Sequence, residues 1–226
     1  MPAYRSDAEA EVRVAVVDRL RRLRPDARIM HEVNASSFGN RIDVLAVAPA
    51  EIIAVEIKSA KDKLDRLPDQ LEAMRGCAHT VIAALHEKFL VEQRTHARAS
   101  MIERDGEHYA MVRPDVAPYG GTWIFPERRR SPAGRHDDLC PWVEPDPAIQ
   151  APLPAKAIDM LWRDELLAMC GRFGVSVPRR ARMEMMVNAL RWQLTGRDLT
   201  RGICAALRER VCIEADPPII ELETPS

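Results

Sequence analysis

The chain has no excess of either charge, no long apolar run and no paired-cysteine spacing, and each absence removes a class of function. Lys and Arg number 33 against 34 Asp and Glu, a formal net charge of −1. No global basic field therefore attracts a polyanion, and a nucleic acid would have to be met by local patches. No apolar stretch approaches the roughly 20 residues that a bilayer-spanning helix needs, and Met1 to Arg5 does not open like a signal peptide. No membrane partner and a cytoplasmic location are expected. The cysteines (Cys77, Cys140, Cys170, Cys204 and Cys212) are odd in number and scattered without a C-x-x-C, which suits reduced thiols and excludes a disulfide frame or a cysteine zinc site. Lysine is scarce too: of the 33 basic residues only Lys58, Lys61, Lys63, Lys88 and Lys156 are lysines. Three of them fall together, where a compact, strongly hydrated point charge would be useful.

What is present is a globular composition, 46% hydrophobic and 30% charged over 226 residues, enough for one good core and a small second domain. The stretch Arg41 to Gln70 organises the rest. Arg41 to Ala48 is apolar and β-branched enough for a strand, Pro49-Ala50 supplies a turn, and Glu51 to Lys58 is a second strand. Side chains alternate with a period of two, so Ile53, Val55 and Ile57 share one face while Ala54, Glu56 and Lys58 share the other. A carboxylate and an ammonium side by side in a core-forming strand are costly unless employed. Asp43 can sit across from them on the preceding strand. Asp43, Glu56 and Lys58 therefore make a candidate hard-metal site with a cation beside it, for Mg²⁺ or, as a substitute, Mn²⁺.

Before this hairpin, Asp7 to Leu23 reads as an amphipathic helix with Val12, Val16, Leu20 and Leu23 on its buried stripe. Glu9 projects near the middle of that stripe. It either rests in the first turn, favoured by the helix dipole, or reaches the site, with Glu11 as the fallback acid. Ala27 to Val33 is expected as a strand, with Glu32 on its surface or as an extra ligand and His31 packing or hydrogen bonding. Ser36 to Asn40 is expected as a turn. Beyond Lys58, a loop carries Lys61, Lys63 and Arg66, expected either to grip backbone phosphates or to be an ordinary solvated basic loop, then Pro68 opens a helix to Cys77 that puts Gln70 near Lys58. His79 to Leu85 reads as a buried strand, Lys88 to Met101 as a helix, and Ala110 to Phe125 as further strands or a wrapping segment. Residues 127–153, rich in Pro and Arg with Arg128, Arg129 and Arg130 in a row, read as a linker. Residues 154–212 read as a helical unit. From Arg179 to Arg210 eight arginines face Glu184, Asp198 and Glu209, so Arg179, Arg180 and Arg182 are candidate phosphate contacts. Packing on the core or homodimerisation are the alternatives. Residues 213–226 form an acidic tail expected to be frayed or loosely docked.

The spacing of Asp43, twelve residues, Glu56, Ile57, Lys58 resembles the signature of the PD-(D/E)XK nuclease superfamily, over roughly Ser6 to Leu90. Ile42 stands where the motif's name has Pro. Gln70 resembles the glutamine of the RecB-type Q-x-x-x-Y motif, with Met74 in place of Tyr. The resemblance implies an α/β, restriction-endonuclease-like mixed sheet flanked by helices within residues 1–126, followed by the C-terminal all-α unit, which faintly resembles a SAP-type DNA-binding module. It also implies a Mg²⁺-dependent nuclease acting on nucleic acid, with DNA the expected substrate. The implied roles are Asp43 and Glu56 as metal ligands with the Ile57 carbonyl, Lys58 orienting or helping to deprotonate the attacking water, Glu9 holding a water or a second ion, and Gln70 orienting Lys58 or a phosphate. The competing expectation is an inactive nuclease-like module that binds nucleic acid or a protein.

Overall fold

The computed structural model describes residues 6–35, 40–97, 102–117, 121–127, 142–148 and 151–220. The turn at Ser36, the arginines Arg128 to Arg130, Cys140 and the end of the acidic tail lie outside them.

Helix α1 (Asp7–Leu23) is opened by Ser6, whose hydroxyl accepts the Glu9 N–H, satisfying one of the free donors of the first turn. Strands β1 (Arg28–Asn34), β2 (Arg41–Val47) and β3 (Ile52–Lys58) form an antiparallel meander. Helix α2 (Leu67–Arg75) then crosses to β4 (Thr80–His86), which runs parallel to β3, and β8 (Thr122–Phe125) adds in parallel at the far edge. The result is a mixed five-stranded sheet, ordered β1-β2-β3-β4-β8.

Both sheet faces are covered, which explains why β3 is buried along its whole length. Val12, Val16, Val17 and Leu20 of α1 pack on Val44, Ala46, Ile53, Val55 and Ile57. On the opposite face Leu45, Val47, Ile52 and Ala54 meet Met74 of α2 and, in the same continuous core, the C-terminal helices α3 (Arg163–Arg172), α4 (Met183–Gln193) and α5 (Gly196–Glu209). Leu166, Met186, Leu190, Ile203 and Leu207 fill that layer and are essentially inaccessible. The helical unit is thus built onto the sheet. Its removal would expose Leu45, Val47 and Ile52 to water at roughly 1.5–3 kcal/mol for each large aliphatic side chain.

Three expectations are corrected and a fourth is narrowed. The described part of the stretch Lys88 to Met101, residues 88–97, holds no long helix: a 3-10 turn at Glu87–Phe89 leads into strand β5 (Val91–Arg94), paired with β7 (Glu107–Val112), which in turn pairs with β6 (Ile102–Arg104). The cause lies downstream. Asp105 (φ 53°) and Gly106 (φ 77°) both occupy the left-handed region, as the two central residues of a type I′ hairpin must, and β7 once formed offers its other edge to β5. Residues 142–148 do not run free of the core. Trp142 stacks on Trp123 with ring centroids 4.7 Å apart and planes 5° apart. Each indole also donates across the junction, Trp142 to the Ile124 carbonyl (2.8 Å) and Trp123 to the Val143 carbonyl (2.9 Å). Of the two states expected for the acidic tail, its start takes the docked one, along the β1 edge, where His31 N–H donates to the Glu214 carbonyl and Asp216 N–H to the Ile29 carbonyl, both at 2.8 Å. Glu32 is not a surface residue, for the reason given next.

Candidate active site

The β2–β3 ladder stops at Val44 and Val55. Beyond that pair the strands separate, and the Asp43 carboxylate enters the gap: its Oδ2 accepts the Ile57 N–H at 2.7 Å, in place of a strand partner. Alternation along β3 then sets Glu56 and Lys58 on the face that Asp43 occupies. The Lys58 ammonium donates to Glu56 Oε1 and to Gln70 Oε1, each at 2.7 Å. The Gln70 contact explains the placement of α2, whose Pro68 at the start has no N–H to leave unsatisfied. Asp43, Glu56, Lys58, the Ile57 segment, Glu9 and Gln70 all line one cleft of about 810 Å³, and Lys61, Lys63, Arg66 and Arg41 stand along it with Asp62 and Asp65. Six sequence-predicted site residues and three predicted phosphate contacts are therefore brought together. Arg179, Arg180 and Arg182 are exposed in the approach to α4 and do not line this cleft. Glu11 is exposed on the outer side of α1.

The electrostatics of the pair are unusual. Burial, then the neighbouring Asp43 charge, raise the Glu56 pKa to about 8, against the pull of Lys58. Burial likewise raises Asp43, offset by the Ile57 N–H and the Arg13 charge. Two carboxylates placed together in low dielectric cannot both remain ionised without a proton or a cation between them. Among the described residues, Glu56 Oε2 is itself buried without a hydrogen-bond partner. An orphaned carboxylate oxygen beside a second carboxylate is what a hard divalent cation would complete, so the residues fit Mg²⁺, with the Ile57 carbonyl within the same segment. Among the described residues no group of three or more His, Cys, Asp or Glu side chains is arranged to hold an ion, so such a site would rest on two carboxylates and main-chain or solvent oxygens.

Sequence reasoning missed Arg13. It lies one turn after Glu9 on the buried stripe of α1 and is only 1% exposed. Its Nη2 donates to Glu9 Oε1 (2.5 Å) and Glu32 Oε1 (2.8 Å), and its Nη1 to the Asp43 carbonyl (2.6 Å), with His31 Nδ1 at 3.3 Å. Burial opposes its charge, but the Glu9 bond and the charges of Asp43 and Glu32 prevail and hold it cationic. Glu32 reaches it only because its own backbone is left-handed (φ 56°). That conformation interrupts the β1–β2 alternation and turns the carboxylate inward, where its side chain is 7% exposed and also meets Arg41 Nε at 2.6 Å. Non-glycine residues pay on the order of 1 kcal/mol for this region. His31 is driven down to about 4 by burial and by Arg13, so it is a neutral packing and hydrogen-bonding group. The signal available was the Glu9–Arg13 spacing of four on an apolar stripe.

The comparisons bear on this same segment. A family model described as Bacteriophage P4 protein cII matches residues 3–103. Over that stretch the chain is similar to the family. The match covers less than half of the chain, yet includes Glu9, Arg13, Glu32, Asp43, Glu56, Lys58 and Gln70. No curated protein and no solved structure matches the chain. Among the described residues no helix is long and apolar enough to cross a membrane.

Proposed function

We propose that the protein is a metal-dependent nuclease of the PD-(D/E)XK kind, with a restriction-endonuclease-like core, that hydrolyses phosphodiester bonds of nucleic acid, DNA in the first instance. The observation that carries the reading is the Asp43–Glu56–Lys58 constellation at the floor of a cleft with a basic rim, with Glu56 Oε2 left unpartnered among the described residues. Asp43, Glu56 and the Ile57 carbonyl are the groups that would hold Mg²⁺, which when bound neutralises phosphoryl charge and lowers the pKa of a coordinated water.

The remaining chemistry falls to the chain. Hydrolysis adds a water oxygen to phosphorus and breaks the bond from phosphorus to the leaving oxygen, which ends up protonated. Lys58 is fixed between Glu56 and Gln70, so its ammonium is preorganised to orient that water and to donate to a phosphoryl oxygen as negative charge accumulates. Gln70 acts by holding Lys58. Lys61, Lys63 and Arg66 offer cations to the flanking phosphates, and the Asp62 carboxylate is already engaged, accepting from the Ser59 N–H and hydroxyl. Glu9 faces the cleft but already accepts from Arg13. Arg179, Arg180 and Arg182 would serve as a separate phosphate-contacting surface on the helical layer.

The test is cleavage of supercoiled plasmid, linear duplex, single-stranded and branched DNA, and of RNA, by chromatographically pure protein. Mg²⁺ or Mn²⁺ should support cleavage, EDTA should abolish it, and Ca²⁺ should bind but support it poorly, because Ca²⁺ tolerates looser coordination. Cleavage that survives chelation would remove the metal mechanism. Binding without cleavage on every substrate would favour the inactive module.

A further inference from the structure

Glu9, Asp43 and Glu56 line the cleft and Glu32 joins them through Arg13, yet the cations of these four carboxylates are already distributed among them. Glu9 has Arg13 (2.5 Å), Glu32 has Arg13 (2.8 Å) and Arg41 (2.6 Å), and Glu56 has Lys58 (2.7 Å). Among the described residues Asp43 alone of the four has no cation in direct contact, its nearest being Arg13 Nη2 at 4.0 Å. With all four ionised, as a bound cation would leave them, four acids against three bases leave one negative charge, and it falls at Asp43 beside the orphaned Glu56 Oε2. Like carboxylates repel strongly in so buried a place, so the guanidinium is needed whether or not an ion is bound. A planar, permanently charged group with several donors can span three acids at once, which a point charge cannot.

We infer that Arg13 stands where a second metal ion would otherwise be required: it occupies Glu9 and Glu32, fixes the Asp43 backbone through its carbonyl, and limits the centre to one divalent ion between Asp43 and Glu56. The inference rests on the metal-dependent reading above. Arg13 is a positioning residue, since it touches the ligand Asp43 and lies behind it. Glu32 completes the device. Its left-handed backbone serves to deliver a second carboxylate to the guanidinium, a strained conformation retained because the surrounding contacts require it. Glu9, although it lines the cleft, is then a partner of Arg13 and no ligand.

Mn²⁺ titration of the full chain, followed by calorimetry and by electron paramagnetic resonance, counts ions without relying on activity. Wild type should bind one ion per chain. Arg13→Gln should bind two, because Glu9 and Glu32 are released beside Asp43. Arg13→Lys should keep one ion and lose about tenfold in affinity, the loss usual for a group that orients a ligand. Glu9→Gln should keep one ion and lose no more than about tenfold in affinity, because it acts on the centre only through Arg13. Two ions in wild type, or one ion at parental affinity in Arg13→Gln, would overturn the inference while leaving the nuclease reading intact. Should Arg13→Gln fail to fold, Glu9→Gln decides, and a loss well beyond the roughly hundredfold limit of an orienting group would make Glu9 a ligand and the inference wrong. A wild-type protein that binds no ion would end both.

Discussion

Glu56→Gln should stabilise the metal-free protein, and by an amount that grows with pH. Glu56 is 1% exposed, and its pKa rises from 4.5 to about 8 on folding, by burial first and by Asp43 second. The sign follows from linkage. A raised folded-state pKa contributes stability that is fully present below the unfolded value and is lost as pH rises through the folded one. Metal-free wild type should therefore weaken from about pH 4.5 to about pH 8. Glutamine, neutral throughout and nearly isosteric, escapes the loss. The two pKa values set a ceiling of about 5 kcal/mol at about 1.4 kcal/mol per pH unit; relaxation, water entry and the Lys58 partner reduce the expected gain to about 1–3 kcal/mol. Urea denaturation in EDTA near pH 5 and pH 9 measures it. The difference between variant and parent should be near zero at the lower pH and largest at the higher. Saturating Mg²⁺ should reverse the order, because the ion takes the place of the shared proton and binds only the parent well. A difference independent of pH would refute the reasoning.

Trp142→Ala should destabilise the fold by about 3–5 kcal/mol, because the indole is buried on Trp123 and donates to Ile124; an unchanged urea midpoint would return residues 142–148 to the status of a free linker. Replacing Arg179, Arg180 and Arg182 together by Glu should weaken duplex binding and lower the salt dependence by about 0.9 in slope for every phosphate that is no longer neutralised. The three side chains are exposed and outside the cleft, so catalysis at saturating substrate should persist. An unchanged affinity and slope would rule out these three arginines as contacts and leave packing or dimerisation as the role of that layer.

What could be read from the sequence was whatever depends on neighbours along the chain. Glu56 and Lys58 fall on one side of β3 because alternation requires it, and α1 begins at Asp7 because Ser6 can cap it. Gln70 reaches Lys58 because Pro68 fixes where α2 starts. Arg13 was not legible, since its burial depends on acids from α1 and β1 and a carbonyl from β2 arriving together. Glu32 was misjudged because strand periodicity assumes a strand backbone, and its φ of 56° abandons one. The stretch after Lys88 carries helix-favouring Glu, Gln, Arg and Ala, but the Asp105-Gly106 hairpin recruits it into a sheet, tertiary pairing overriding local preference. Trp142 lies 19 positions from Trp123, and nothing local foretells a stack across that interval.

The most direct test of the central claim is cleavage of one plasmid substrate in Mg²⁺ by wild type, Asp43→Asn, Glu56→Gln and Lys58→Ala, each first shown to be folded by circular dichroism. The account predicts cleavage by wild type alone, with each variant reduced by at least about a hundredfold, the scale expected when a group stabilising the transition state is removed. Any one of the three folded variants cleaving at the parental rate would contradict it.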